Sequence, residues 1–474
     1  MGSWGAIYNN SRRMLQIQAD ALARYQEMAS TGSRVNRPSD APSDAFQILA
    51  LHSQSSAVDT YKRNLVSVTD TRQITGSVLE SALTELSRVR QLASQAASGT
   101  YSAQDRIPIA REIDSILEEM ASLANTNHSG RYLFGGGSNA AASFAAQREN
   151  GQIVQVDYQG GSNALLVPVA DGVQYATTMV GDQVFRCTGS STPEFLGSTG
   201  AKPGAGTSNV RGDVWLTATH TATTYLGASG IAAGDSSAAG DTILGTHHTL
   251  TIDEPNHTVR LDDGNAFTFT GNETDLKLTN KSGATACVNV QGLAAGFQGT
   301  VQIRADGSLS IDDGATSVPV SFSASDAVTD SRNGRILYVD SADIAQTGMD
   351  PVRVGGTYDL FSVLISLRDA IANTKNLPQD QQMDILDNAM GALADVTGHV
   401  TEWVTTNGAQ LQAMTSLKDV LDNRQALAKQ QVAGLENADI TDVAAQLARQ
   451  QVLYQMALAA TSKLLTLSMV TYMT

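Results

Sequence analysis

Two cysteines, Cys187 and Cys287, in a chain of 474 residues are too few for a disulfide framework or a Cys-ligated zinc site. They read as small buried apolar residues, or as one bridge if their strands are neighbours. Lysine and arginine are scarce as well, 31 against 47 Asp and Glu, for a formal net charge of −16. Without clustered base there is no phosphate-neutralising surface, so nucleic acid is not an expected partner, and neither is an anionic membrane. Acidity of this size keeps a protein soluble and self-repelling before it assembles. Aromatic residues make up 5%, a low share for a large enzyme core and one that suits slim helical rods rich in Ala, Leu, Gln and Ser. Long hydrophobic runs are missing too. The most apolar window, 452–473, is interrupted by Gln455 and Lys463 and reads as an amphipathic helix rather than a membrane span. The first ten residues lack the apolar stretch of a secretory signal, and Ala6 stands where myristoylation favours Ser or Thr.

Catalytic wording is absent. The chain has no His-Glu-x-x-His, no Gly-x-Ser-x-Gly elbow, no Walker A loop and no dinucleotide fingerprint, so we expect no enzyme, no cofactor and no metal. His247 and His248 are adjacent and would point to opposite faces of a strand, and His257 adds no carboxylate or cysteine at ligand spacing. Asp262-Asp263-Gly264 and Asp312-Asp313-Gly314 do not continue as calcium loops and read as turns. The Gly135-Gly136-Gly137 run lacks the Gly-Lys-Ser/Thr ending of a phosphate loop and is expected to be a hinge or a crossing between domains. Arg211-Gly212-Asp213 and the Asn-x-Thr triplets at Asn256 and Asn272 are too short to carry function.

What the chain does have is two long stripes. Val58, Tyr61, Leu65, Val68, Arg72, Thr75, Leu79, Ala82, Leu86, Val89, Ala93 and Ala96 step by threes and fours, broken only at Arg72 and Thr75. A 3.5-residue period held over so many turns predicts a helix that packs along its whole length against another helix. The mate is a second stripe through Met383, Leu386, Met390, Leu393, Thr397, Val400, Val404, Asn407, Leu411, Met414, Lys418, Leu421, Gln425, Ala428, Val432 and Leu435. Shorter helices carrying Ile109, Ile113, Ile116, Met120 and Leu123, and Leu360, Val363, Leu364, Leu367 and Ile371, would complete a bundle. An ordinary helical bundle with no polymer role would show the same periodicity.

The middle changes character. Alternating runs such as Gln152-Ile153-Val154-Gln155-Val156-Asp157-Tyr158 and Thr300-Val301-Gln302-Ile303 are punctuated by Asn150-Gly151, Asp171-Gly172, Asp263-Gly264, Asp306-Gly307, Asp313-Gly314 and Asn333-Gly334, the signature of antiparallel β hairpins. The fold class expected is therefore mainly α at the termini, as a long antiparallel coiled-coil bundle, with a large β-rich insert. The divisions expected are terminal helices over 1–45 and 435–474, a helical bundle domain over 46–138 and 355–434, and a β-rich outer domain over 139–354, in one lobe or two.

Two stretches carry a family resemblance. One is Thr31-Gly32-Ser33-Arg34-Val35-Asn36-Arg37-Pro38-Ser39-Asp40; the other is Ser129-Gly130-Arg131-Tyr132-Leu133-Phe134-Gly135-Gly136. With them the chain resembles the flagellin superfamily and, within it, the hook–filament junction family; filament flagellins share the helical pattern but typically lack the Pro38-Ser39-Asp40 and the Gly130-Arg131-Tyr132-x-Phe134 wording. Gln450-Gln451 and Leu467-Ser468-Met469 in the tail are similar to the same family. The resemblance implies a structural subunit of the bacterial flagellum joining hook to filament. Its implied route is secretion through the flagellar export apparatus to the extracellular flagellum, with an export chaperone on its C-terminal helix. It would form a ring with other copies of itself, next to the adjoining hook-associated protein and flagellin. Met14, Ile17, Val443, Leu447, Tyr454, Leu464 and Leu467 are the residues expected to pack into the tubular lattice. The alternatives are a filament flagellin with an enlarged outer domain, or an enzyme or adhesin carried by the insert. The insert is longer than is usual for the family.

Overall fold

The computed structural model describes residues 3–98, 101–139, 141–187, 189, 191–375 and 377–473, with side chains undescribed at 3–5, 7, 380 and 464–473. Eight helices occur among them: α1 Ser3–Thr31, α2 Pro42–Ala97, α3 Ala103–Ala124, the single turns α4 Gly181–Val184 and α5 Ser237–Gly240, α6 Leu360–Ala372, α7 Gln379–Glu436 and α8 Ile440–Met473. Helical termini thus frame a β-rich region, as the sequence predicts. The ends follow local chemistry. Gly32 closes α1 at φ 70°, a left-handed conformation that costs glycine little. Ser102 and Asp105 form a capping box at the start of α3, and the Asp359 carboxylate accepts from the Ser362 amide to start α6.

The residues cluster into two compact units, one of 1–70, 166–176 and 409–474 and another of 71–165 and 177–408. In the first unit α1 packs against α8. Val58, Leu65 and Val68 of α2 share a core with Met414 and Leu421 of α7. Val169, fully buried, joins them from the hairpin of strands Leu166–Ala170 and Val173–Ala176, with Val167 and Tyr175 alongside. The Asn64 amide pins that hairpin by donating to the Pro168 carbonyl at 2.8 Å. The hairpin belongs by sequence to the β-rich middle, yet it clusters with the terminal helices. Apolar Val167 and Val169 alternate on one face and cover a stripe that would otherwise be wet.

In the second unit one hydrophobic core joins Leu79, Leu86 and Val89 of α2, Ile113 and Leu117 of α3, Leu364 and Leu367 of α6, and Leu386, Leu393 and Val400 of α7. Few as they are, the aromatics gather here. Phe134 and Phe185 meet edge to face at 4.9 Å, and Phe144 touches Tyr158, Phe185 and Phe361. Gly135–137 is not a hinge. Gly136 donates to the Met179 carbonyl at 2.9 Å and its own carbonyl accepts from Thr178 Oγ1 at 2.7 Å; a Cβ on it would lie 2.5 Å from the Gly161 carbonyl oxygen. The glycines are there because two backbones touch.

An antiparallel sheet runs through strands Phe267–Thr268, Thr258–Leu261, Thr249–Asp253, Gln298–Ser310, Gly212–Leu226, Gly348–Val354 and Glu194–Phe195 in that order, with Val318–Pro319 on the end of Gln298–Ser310. Its two long strands serve two cores. Val301, Ile303 and Ala305 enter one with Leu250, Leu261 and Val288; Leu309, Leu216 and Ala218 enter the other with Leu337 and Val352. Asn150-Gly151 makes the expected hairpin turn with both φ positive, 50° and 86°. Asp306-Gly307 does not. It sits inside Gln298–Ser310 as a register shift, because a Cβ at Gly307 would lie 2.5 Å from Leu244 Cδ2 and 2.6 Å from the Thr219 carbonyl.

Candidate functional site

The residues of the two family stretches divide between the units. In the first unit the segment after α1 is a lashing between the chain ends. Arg34 pairs with Asp44 at 2.6 Å, and its Nη2 donates to the Leu435 carbonyl at 2.9 Å while its amide donates to that of Glu436 at 2.6 Å. The Asp40 carboxylate accepts from the Asn36 and Arg37 amides at 3.2 and 2.9 Å, which folds the loop on itself. Ala438 donates to the Gly32 carbonyl. Pro38 and Ser39 face solvent. In the second unit Ser129 and Gly130, at φ 52° and 77°, turn Arg131-Tyr132 back onto Asn127-His128, and Phe134 is fully buried.

Of the residues expected in the helical stripes, Val58, Leu65, Val68, Leu79, Leu86, Val89, Leu386, Leu393, Val400 and Leu421 are buried and Leu411 is half-buried. The interruptions matter as much. Asn407, buried, accepts from Arg72 Nη1 at 3.3 Å and donates to the Arg72 carbonyl at 3.0 Å. Burial pulls the Arg72 guanidinium down to about 10. Gly76 makes room, since a Cβ there would lie 3.0 Å from Asn407 Nδ2. In the first unit Gln425 accepts from Lys62 Nζ at 2.9 Å and donates to Asp59.

The terminal helices show two faces. Leu15, Gln18, Leu22 and Tyr25 of α1 are half-buried, and Gln18 is hydrogen-bonded to Gln450 of α8. Val443 is buried, and Leu447 and Tyr454 are half-buried on that same side of α8. Met14 and Ile17 are turned outward, 62% and 57% exposed. The side chains of Leu464 and Leu467 lie outside the described ones. Outward with Met14 and Ile17 are Val452 and Met456 of α8 and Phe46 and Leu49 of α2. Fifteen of the nineteen large apolar side chains that stand exposed among the described residues belong to the first unit, which makes it the apolar surface of the molecule.

No group of three or more His, Cys, Asp or Glu side chains gathers at metal-binding distance among the described residues. His248 is buried between two acceptors, with Nδ1 2.7 Å from Asp262 and Nε2 2.6 Å from the Ala345 carbonyl. Burial pulls its ring down, but those two hydrogen bonds outweigh it and raise the net pKa. Asp213 of the Arg-Gly-Asp tripeptide is turned to Arg353 at 3.5 Å. Cys187 and Cys287 are both free thiols, and burial, then the Asp241 carboxylate, pushes Cys287 up to about 11. A buried thiol of that kind is inert.

Residues 4–139 match the family described as the bacterial flagellin N-terminal helical region. Flagellar hook-associated protein 3 of Salmonella typhimurium is 32% identical over 199 residues, 41% of this chain and 59% of that protein. The protein of that name in Escherichia coli K12 is 29% identical over 177 residues, 37% of this chain and 53% of that one. The chain thus spans little more than half the length of the curated relatives it matches. A crystal structure of flagellar hook-associated protein 3 from Legionella pneumophila superposes with a TM-score of 0.45 at 16% identity, over 82% of this chain and 98% of that one. Through residues 4–139 the chain is thus similar to the flagellin N-terminal helical region, and flagellar hook-associated protein 3 is among the proteins it resembles.

Proposed function

We propose that this chain is a structural subunit of the bacterial flagellum that joins hook to filament, with no enzymatic role, and that it assembles as a ring through α1, α8 and the start of α2. The observation that carries the reading is the concentration of exposed Met14, Ile17, Phe46, Leu49, Val452 and Met456 in the terminal unit. Each such side chain gains roughly 1.5–3 kcal/mol when a neighbouring copy covers it. Met14 and Ile17 then meet the next copy, while Val443, Leu447 and Tyr454 hold α8 to α1. Leu464 and Leu467 continue the α8 stripe in sequence.

Within the subunit we read α2 and α7 as an antiparallel coiled coil. The pairs Asp59 with Gln425, Lys62 with Asp422 and Thr69 with Met414, and separately Arg72 with Asn407, support this, since one number falls as the other rises. The β-rich region between the arms serves as the outer domain. The subunit reaches the cell exterior through the flagellar export apparatus, α8 being the segment an export chaperone covers, and it contacts the adjoining hook-associated protein and flagellin.

The test mixes purified full chain, or a version ending at residue 434, with hook-capped seeds and flagellin under electron microscopy. The full chain should add a short layer and make the ends competent to elongate flagellin, whereas the truncated chain should keep a folded β region and fail to incorporate. Long filaments from this chain alone would make it a filament flagellin instead, and incorporation by the truncated chain would overturn the role of α8.

A further inference from the structure

A cavity of about 220 Å³ opens in the second unit between the Gly212–Leu226 and Gly348–Val354 strands, α6, the start of α7 and the turn at 330–335. Nothing in the assembly reading uses it. Beside five acids, Glu149, Asp213, Asp313, Asp330 and Asp369, its lining holds five cations, Arg211, Arg332, Arg335, Arg353 and Lys375. Three of the cations are matched. Arg332 pairs with Asp330 at 3.3 Å, Arg353 with Asp213 at 3.5 Å, and Lys375 with Asp313. Arg211, at the rim, and half-buried Arg335 have no ion-pair partner among the described residues, unlike the other cations of the cavity. Their charges are felt: burial, then the positive charges of Arg186 and Arg335, depress the Arg211 guanidinium. Arg353 Nε is buried without a hydrogen-bond acceptor, and burial raises the carboxyl of Asp213, one of the lining acids, against the pull of Arg353. Trp215 and Pro351 supply an apolar wall.

We propose that this cavity binds a small organic carboxylate with one flat apolar face, Arg211 and Arg335 meeting the carboxylate and Trp215 with Pro351 meeting the flat face. Guanidinium is the side chain suited to this role, because its planar fork donates two parallel hydrogen bonds to a carboxylate. The volume is below the ~300 Å³ at which drug-sized sites begin, so the ligand is small. The apolar wall lowers the local dielectric, which strengthens an anion's attraction to the two unmatched cations.

Equilibrium dialysis of the full chain against benzoate, benzamide and acetate tests this. Benzamide keeps the shape without the charge, and acetate keeps the charge without the flat face. Benzoate should bind saturably at one per chain, with both analogues and the Arg211→Gln and Arg335→Gln variants weaker by about tenfold or more. Arg304→Gln, an exposed arginine that pairs with Asp306 and does not line the cavity, should bind as the parent chain does. Benzoate uptake that does not saturate up to about 10 mM, benzamide binding equal to benzoate, or unchanged binding by both Arg211→Gln and Arg335→Gln would overturn the proposal. Circular dichroism of each variant separates loss of the site from loss of fold.

Discussion

Replacing Asn407 by Ala should destabilise the helical core by about 2–4 kcal/mol. The change removes the acceptor of the Arg72 Nη1 hydrogen bond and the donor to the Arg72 carbonyl, both made in the interior, with Asn407 2% and Arg72 4% exposed. A hydrogen bond to a charged group contributes about 1.5–3 kcal/mol and a neutral one about 1, and little of the cavity refills because Gly76 contributes no side chain on that side. Arg72→Leu alone leaves the Asn407 amide without its cation and should cost about 1–3 kcal/mol. The double variant combining Arg72→Leu with Asn407→Ala should cost about 2–4 kcal/mol, less than the sum of the two singles, since each single already breaks the hydrogen bonds the pair shares. Urea unfolding followed by far-UV circular dichroism measures all four corners of the cycle, and the coupling should be about 1–3 kcal/mol. Strict additivity, or an Asn407→Ala cost under about 0.5 kcal/mol, would refute the claim that the two interruptions of the stripes hold each other.

Val169→Ala empties a fully buried position over Val58, Leu65 and Met414 and should cost about 2 kcal/mol, read by thermal unfolding. Gly307→Ala places a Cβ against Leu244 and the Thr219 carbonyl and should cost about 1–3 kcal/mol, with hydrogen exchange rising along Gln298–Ser310. His248, whose pKa is raised in the fold, adds stability that is complete below the ordinary value near 6.5 and is lost as pH rises through the raised value. Melting of the β region should therefore fall over that window, and a His248→Gln variant should flatten the fall. A melting temperature that rises there would contradict the two-acceptor arrangement around the ring.

The helical stripes were legible because burial along a helix repeats every three to four residues, as at buried Leu65, Leu79, Leu86, Leu386, Leu393 and Val400. The site was legible in part. Outward-facing Met14 and Ile17 and inward-facing Val443 and Tyr454 could be assigned to terminal helices from sequence, but not to opposite faces. Leu15, Leu22 and Tyr25, half-buried where α1 packs on α8, are spaced by seven and three, a helical period that marks their face.

Local order by itself determined where helices run, where Gly32 and Asn150-Gly151 stop or turn the chain, and that the ends are helical and the middle β-rich. These depend on period, φ preference and capping, which neighbours in sequence decide. Only the tertiary structure decided that Arg72 meets Asn407, that the hairpin at 166–176 seals the terminal core, that Gly136 and Gly307 mark close approaches, and that five cations share one cavity. Such contacts join residues up to hundreds of positions apart, and a residue's type says what it can pair with while only the packed fold brings the partner within reach.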